Sequence, residues 1–195
     1  MARRITFLCG SPRKEGNTNR VVAWVAEAAR AAAAEVEIID LPRLDYKTNG
    51  CTACMACKRS EEFRCVVDDE ASPILARLPE SDALVFATPV YWFGPSAQLK
   101  VFTDRMASLV KFDEGGFRTP FKKNTTIVLI STGGGDLDDG LKLVEQTFRQ
   151  AAQALGFRFE SLLVPHAPMD PGELEGREDI RQKAAALGRL LAGGA

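Results

Sequence analysis

Four short runs of apolar residues, Ile5 to Cys9, Ala83 to Ala87, Ile127 to Ile130 and Leu162 to Val164, are each followed at once by Gly, Pro, Ser or Thr. Continuous apolar runs of this length fit strands buried on both faces. A fifth run, Val36 to Leu41, alternates with charge and suits a strand nearer a sheet edge. Between the runs, apolar positions recur at helical spacing over Asn17 to Ala34, Glu70 to Leu78, Ser96 to Val110, Gly140 to Leu155 and Glu173 to Leu191. The order is strand then helix, five times over. Right-handed crossovers then give a parallel sheet with helices on both faces. The expected fold is therefore α/β: three layers, flavodoxin-like, with a five-stranded parallel sheet of order 2-1-3-4-5. In such sheets ligands bind beyond the carboxyl ends of the strands, where the strand order reverses. The loops after the first, third and fourth strands are the ones to inspect.

Length adds that 195 residues fit one domain, 1–195, interrupted by a cysteine-bearing insertion at about 46–69. Charge is nearly balanced, with 25 Lys+Arg against 26 Asp+Glu, so no broad basic field exists to hold nucleic acid or an anionic membrane. The expected partner is a small molecule. Ile5 to Cys9 is too short for a signal-peptide core or a membrane span, and a cytoplasmic location is expected. Five cysteines in a reducing compartment do not make a disulfide framework, and four of them fall within fifteen residues, which points to metal or redox chemistry.

The first loop, Gly10-Ser11-Pro12-Arg13-Lys14-Glu15-Gly16-Asn17-Thr18-Asn19, carries hydroxyls at Ser11 and Thr18 and amides at Asn17 and Asn19. A cation at Arg13 stands at the start of the first helix. Free N–H groups and the helix dipole there favour an anion such as a phosphate. An ordinary turn in which Asn17 or Thr18 merely caps the helix would carry the same residues. A Walker loop is excluded because five residues separate Gly10 from Gly16 and Asn17 stands where Lys is required. The Gly-x-Gly-x-x-Gly dinucleotide spacing is also missing, so the expected phosphate is a mononucleotide's.

After the third strand, Pro89-Val90-Tyr91-Trp92-Phe93-Gly94 sets three adjacent aromatics beside the expected cleft. Flat side chains can stack on or flank an isoalloxazine ring. The alternative is burial in the core or at a dimer interface. After the fourth strand, Thr132, Gly133 and Gly134 lie in a run of three glycines that can bring backbone N–H groups close to a flat ligand, although a plain flexible turn would look similar.

Cys51, Cys54, Cys57 and Cys65 are spaced C-x₂-C-x₂-C-x₇-C. Successive C-x₂-C steps typify iron–sulfur ligation, whereas structural zinc separates its Cys pairs more widely. Tetrathiolate zinc and metal-free thiols stay open as alternatives. Cys9, ending a buried strand, is expected to be an inert packing residue.

Together, Gly-Ser-Pro-Arg with Gly-Asn-Thr in the first loop, the compact cysteines leading to Cys65-Val66-Val67-Asp68-Asp69, and Ser81-Asp82-Ala83 form one set of marks. Pro89-Val90-Tyr91, Leu99-Lys100 and Asp104-Arg105 complete it. With these, the chain resembles the iron–sulfur flavoprotein branch of the NADPH-dependent FMN reductase family. The resemblance implies FMN with its phosphate at Ser11, Arg13, Asn17, Thr18 and Asn19, and its ring between Pro89 to Gly94 and Thr132 to Gly134. It further implies a [4Fe-4S] cluster on the four cysteines, NAD(P)H as co-substrate, and a homodimer or homotetramer. No protein side chain is expected to be catalytic, because the cofactor carries the chemistry. His166, the only histidine, is expected to lie away from the predicted loops and to be structural. The expected function is an oxidoreductase passing electrons from NAD(P)H or a redox partner through FMN to a quinone, flavin or protein. A flavodoxin-type carrier without nicotinamide turnover is the alternative, and a zinc-stabilised binding module without flavin is a third.

Overall fold

The computed structural model describes residues 2–193, so Met1 and the last two residues of the expected 1–195 span lie outside the described residues. The chain runs β1 (Arg4–Cys9), α1 (Asn17–Ala31), β2 (Glu35–Asp40), α2 (Ala56–Arg59), α3 (Ala71–Arg77), β3 (Ala83–Tyr91), β4 (Gly94–Pro95) and α4 (Ala97–Arg105). There follow β5 (Lys111–Asp113), β6 (Gly116–Arg118), β7 (Thr126–Thr132), α5 (Lys142–Ala154), β8 (Arg158–Val164) and α6 (Glu178–Gly193). The main sheet has the order β2-β1-β3-β7-β8, all parallel, with short β4 pairing antiparallel to the tip of β3. With the major strands counted in chain order this is the expected 2-1-3-4-5 arrangement. β2, the strand whose sequence alternates with charge, lies at one edge of this order.

Period-two alternation divides the interior into two cores. Ile5, Phe7, Val85 and Val128 face α1 and α6, where Val21, Val25, Ile180 and Leu187 pack. Leu8, Leu84, Phe86 and Leu129 face the other way, onto Leu75 of α3, Leu99 and Phe102 of α4 and Phe148 of α5. Cys9 is 3% exposed, and burial, with Asp40 adding to it, pushes its thiol pKa up to about 12, as an inert packing residue requires.

Three local features depart from the sequence reading. β3 runs four residues beyond Ala87, because Thr88 and Pro89 pair with Ser131 and Thr132 of β7. β1 ends its pairing at Ala87, which leaves Pro89 with a neighbouring strand on one side only, and a proline is tolerated there. The helical spacing read through Val110 breaks after Arg105 into a 3₁₀ turn. A hairpin, β5–β6, then follows around Glu114-Gly115, with Gly116, at φ +106°, opening β6. Last, the helix read from Glu173 begins at Glu178, after a separate 3₁₀ turn over Pro171–Gly176.

Candidate functional site

The loops after β1, β3, β7 and β8 meet at the carboxyl end of the sheet. In the first of these, Gly16 occupies the N-cap position of α1 and no side chain caps the helix, so neither Asn17 nor Thr18 plays that part. The first N–H groups of α1 have no intrahelical acceptor and face outward as donors. Thr18, 2% exposed, shares a 2.8 Å hydrogen bond with the Thr132 hydroxyl and so ties the first loop to the end of β7. Ser11 donates to the Arg13 carbonyl (3.3 Å), and the Asn19 amide donates to the carbonyls of Arg13 (3.3 Å) and Lys14 (3.1 Å). These two side chains shape the loop. Asn17 donates to the Pro168 carbonyl (2.7 Å), and Arg13 reaches the Met169 carbonyl at 3.5 Å.

Those last two bonds reveal a loop that the sequence reading left out, the turn after β8. Gly133 N donates to Val164 O (3.0 Å), His166 N to Gly135 O (3.0 Å) and Ala167 N to Gly133 O (2.8 Å). His166 therefore lies beside the glycine loop, against the expectation that it would sit away from the site. Its Nε2 is 3.3 Å from Asp136 Oδ1 and its side chain is largely exposed. Lone apolar spacing gave no hint of this, because the contacts are backbone to backbone.

The aromatics after β3 occupy a two-residue hairpin turn. Tyr91 pairs with Gly94, and both central residues, Trp92 (φ 48°) and Phe93 (φ 61°), are left-handed, which is the geometry Asn-Gly normally supplies. Trp92 is 95% exposed, and its ring meets that of Phe93 edge-on at 6.2 Å. The core alternative is thereby removed for these rings. The hairpin leans on the β7 loop: a side chain at Gly140, itself at φ +109°, would strike Val90 Cγ1 at 2.7 Å.

Within the glycine run the three positions differ. A Cβ at Gly133 would press on Leu141 Cγ at 3.3 Å, and one at Gly135 would collide with Asp139 Oδ2 at 2.5 Å. One at Gly134 would meet nothing within 4 Å. Side chains at Gly133 and Gly135 would thus meet the fold's own residues, whereas Gly134 faces open space. The buried oxygens of Asn17 (Oδ1) and Asn19 (Oδ1) in the first turn of α1, and of Ser131 (Oγ) near the end of β7, have no partner within the protein. Outward N–H donors, a bare backbone stretch and an aromatic flap suit a flat ligand carrying a phosphate.

The four cysteines lie elsewhere, past the far end of α4. Cys51, Cys54, Cys57 and Cys65 line one cavity of about 150 Å³, together with Arg105, Ala107 and Ser108. The chain winds around it through left-handed backbone at Ala53 (φ 53°) and Met55 (φ 60°). Lys58 secures α2 by donating to the carbonyls of Ala107 (2.6 Å) and Val110. Beneath, Arg105 forms a bidentate pair with Asp69 (2.6 and 2.9 Å), each side chain only 1% exposed. Asp69 and Arg105 were legible in the sequence only as marks of resemblance; the pair is what holds the segment after Cys65 to α4. Among the described residues, no three His, Cys, Asp or Glu side chains are grouped as for a single metal ion. Four soft thiol ligands lining a common cavity suit a cluster, whose ligands stand farther apart than those of one tetrahedral ion.

A profile described as NADPH-dependent FMN reductase matches residues 3–161. Among curated proteins, an iron–sulfur flavoprotein of Methanocaldococcus jannaschii is 38% identical over 106 residues, covering 54% of this chain and 53% of that one. An FMN-dependent NADH:quinone oxidoreductase of Bordetella petrii is 28% identical over 158 residues, covering 78% of this chain and 74% of that one. This chain spans about half the length of the iron–sulfur flavoproteins it matches. Among solved structures, an FMN-dependent NADH-azoreductase of Bacillus anthracis, in complex with FMN, superposes with a TM-score of 0.74 at 16% identity, over 98% of this chain and 100% of that one. An NAD(P)H:quinone oxidoreductase of Methanothermobacter marburgensis gives 0.73 at 19% identity, over 98% of each chain. At such identities the two structures establish the shared fold.

Proposed function

The chain belongs to the NADPH-dependent FMN reductase family, and from that premise we propose that it holds FMN at the carboxyl ends of β1, β3 and β7 and relays electrons from NAD(P)H to a small acceptor such as a quinone or a flavin, or to a redox protein. The N–H groups at the start of α1 hold the phosphate, with Ser11, Arg13, Asn17, Thr18 and Asn19 shaping that loop. Pro89 to Gly94 cover one side of the ring and Thr132 to Gly134 approach its edge. FMN bound there supplies a ring that takes up a hydride and gives up electrons singly or in pairs. The chain's own residues bind and orient it. The observation that carries this reading is Gly134, open on the side where a side chain would stand, whereas side chains at Gly133 and Gly135 would meet Leu141 and Asp139.

The second part of the proposal is a [4Fe-4S] cluster on Cys51, Cys54, Cys57 and Cys65, supported by the relatives named iron–sulfur flavoproteins and by the shared cavity. Such a cluster supplies single-electron transfer. α4 begins at Ser96, whose hydroxyl bonds Gly10 O in the first loop (2.6 Å), and ends at Arg105 under the thiols. Its nine residues make a rod of about 13 Å that links the two sites within one chain. Exposed Trp92, Phe93 and Met169 beside the cleft suit a second copy of the chain closing over the ring, in a homodimer or homotetramer. No helix among the described residues is long and apolar enough to cross a membrane, and a reducing cytoplasm would keep the thiols available. Anaerobic stopped-flow mixing of the FMN-loaded protein with NADPH or NADH tests the reading: bleaching of the flavin band is expected, and a band untouched by either would leave only an electron carrier.

A further inference from the structure

At the floor of the cavity under the four thiols, where Arg105 already lies against Cys65, two buried polar atoms have no partner in the protein. Arg105 gives its terminal nitrogens to Asp69 and, at 3.3 Å, to the Val67 carbonyl, but its buried Nε has no partner. Ser108, 3% exposed, also has a buried hydroxyl with no partner. Both residues line the same cavity as Cys51, Cys54, Cys57 and Cys65. Ser108 lies in the turn that follows α4, and Lys58 holds that turn by its bond to the Ala107 carbonyl, so the cysteine segment itself fixes the floor. Buried donors without partners are rare in folded proteins and call for an explanation such as a bound group. Here two of them belong to residues that line one cavity with four thiols, while Lys58, also in the lining, spends its ammonium on the carbonyls of Ala107 and Val110.

Resting on the cluster reading above, we propose that Ser108 Oγ–H and Arg105 Nε–H are hydrogen-bond donors to the sulfur atoms of a cluster held by the four cysteines, and that they raise its reduction potential. Sulfide and thiolate sulfurs gain electron density when the cluster is reduced, so a donor aimed at them stabilises the reduced form more than the oxidised form. The Arg105 charge acts in the same direction, partly offset by Asp69. Arg105 also holds the fold through that pair, so Ser108 is the cleaner probe. Ser108→Ala removes an unpartnered hydroxyl without creating a new buried polar group, and the metal-free protein should lose no stability.

The test is a redox titration, followed by electron paramagnetic resonance, of full-length wild type, Ser108→Ala and Ser108→Thr, each loaded anaerobically with iron and sulfide. The alanine variant should show a more negative midpoint. At the wild-type midpoint its oxidised-to-reduced ratio should shift about tenfold, or about 59 mV for one electron, and threonine should restore most of it. Loss of the cluster from the alanine variant alone, with metal-free stability unchanged, would equally support the contact. An unchanged midpoint at full cluster content would overturn this inference and leave the cluster reading standing. Wild type that takes up no iron and sulfide would overturn both.

Discussion

Gly134 is the residue at which fold and function separate most cleanly. Its backbone needs no unusual angle and its open side touches nothing, so Gly134→Ala should change stability by less than about 0.5 kcal/mol. If a flat ligand approaches that backbone, the added methyl should weaken FMN binding at least about tenfold, or about 1.4 kcal/mol. Fluorescence titration with FMN reads this, and unchanged affinity would remove the loop from the site. Asp69 makes a different kind of prediction. Burial works to raise the pKa of its carboxyl, but the Arg105 guanidinium and the amides of Lys47 and Ser72 outweigh it and hold the carboxyl below its ordinary value. A carboxylate depressed on folding contributes stability that is present above its unfolded pKa and lost as pH falls through the folded one. Asp69→Asn leaves Arg105 buried without its counter-charge and should cost about 3–5 kcal/mol at neutral pH. Urea melts compared between neutral pH and about pH 3 should show a smaller acid loss in the variant than in wild type. An equal loss would assign acid sensitivity to other carboxylates.

At the scale of elements, the β3–β4 hairpin is where local sequence and local structure conflict. A Trp-Phe pair occupies two left-handed positions, at a strain of about 1–3 kcal/mol for each residue. Exchanging the pair, Trp92→Asn with Phe93→Gly, should raise thermal stability while weakening FMN retention; weakened binding without added stability would mean the turn is not strained. The conflict also explains what the sequence concealed. Pro89 and Pro95 mark a loop by every local rule, yet Pro89 continues β3 because only β7 needs to pair with it there. The β5–β6 hairpin had a usable signal in Gly115-Gly116, flanked by Phe112 and Phe117, whose rings pack at 4.7 Å. By contrast, four of the five major strands followed from apolar runs, which burial in the sheet favours, and β2 from its alternation with charge at the edge; the order followed from the alternation of strands and helices.

For the whole molecule, the two candidate sites lie at opposite ends of one helix, α4. The loops after β1, β3 and β7 were legible because their composition is unusual and the topology decides where they gather. The turn after β8 was not, because it contributes carbonyls, such as those of Pro168 and Met169, that any residue could supply. Cys51, Cys54, Cys57 and Cys65 stood out by spacing, whereas the floor beneath them, Arg105 and Ser108, depends on contacts that spacing does not encode. The central claim is that one chain carries both a flavin and a cluster. It is tested most directly by the ultraviolet–visible spectrum of protein purified without oxygen, with FMN, iron, sulfide and zinc assayed on the same sample. The account predicts flavin bands over a broad visible absorbance, with iron and sulfide in equal amounts and four of each per chain. A colourless protein containing zinc, or none of these, would contradict it.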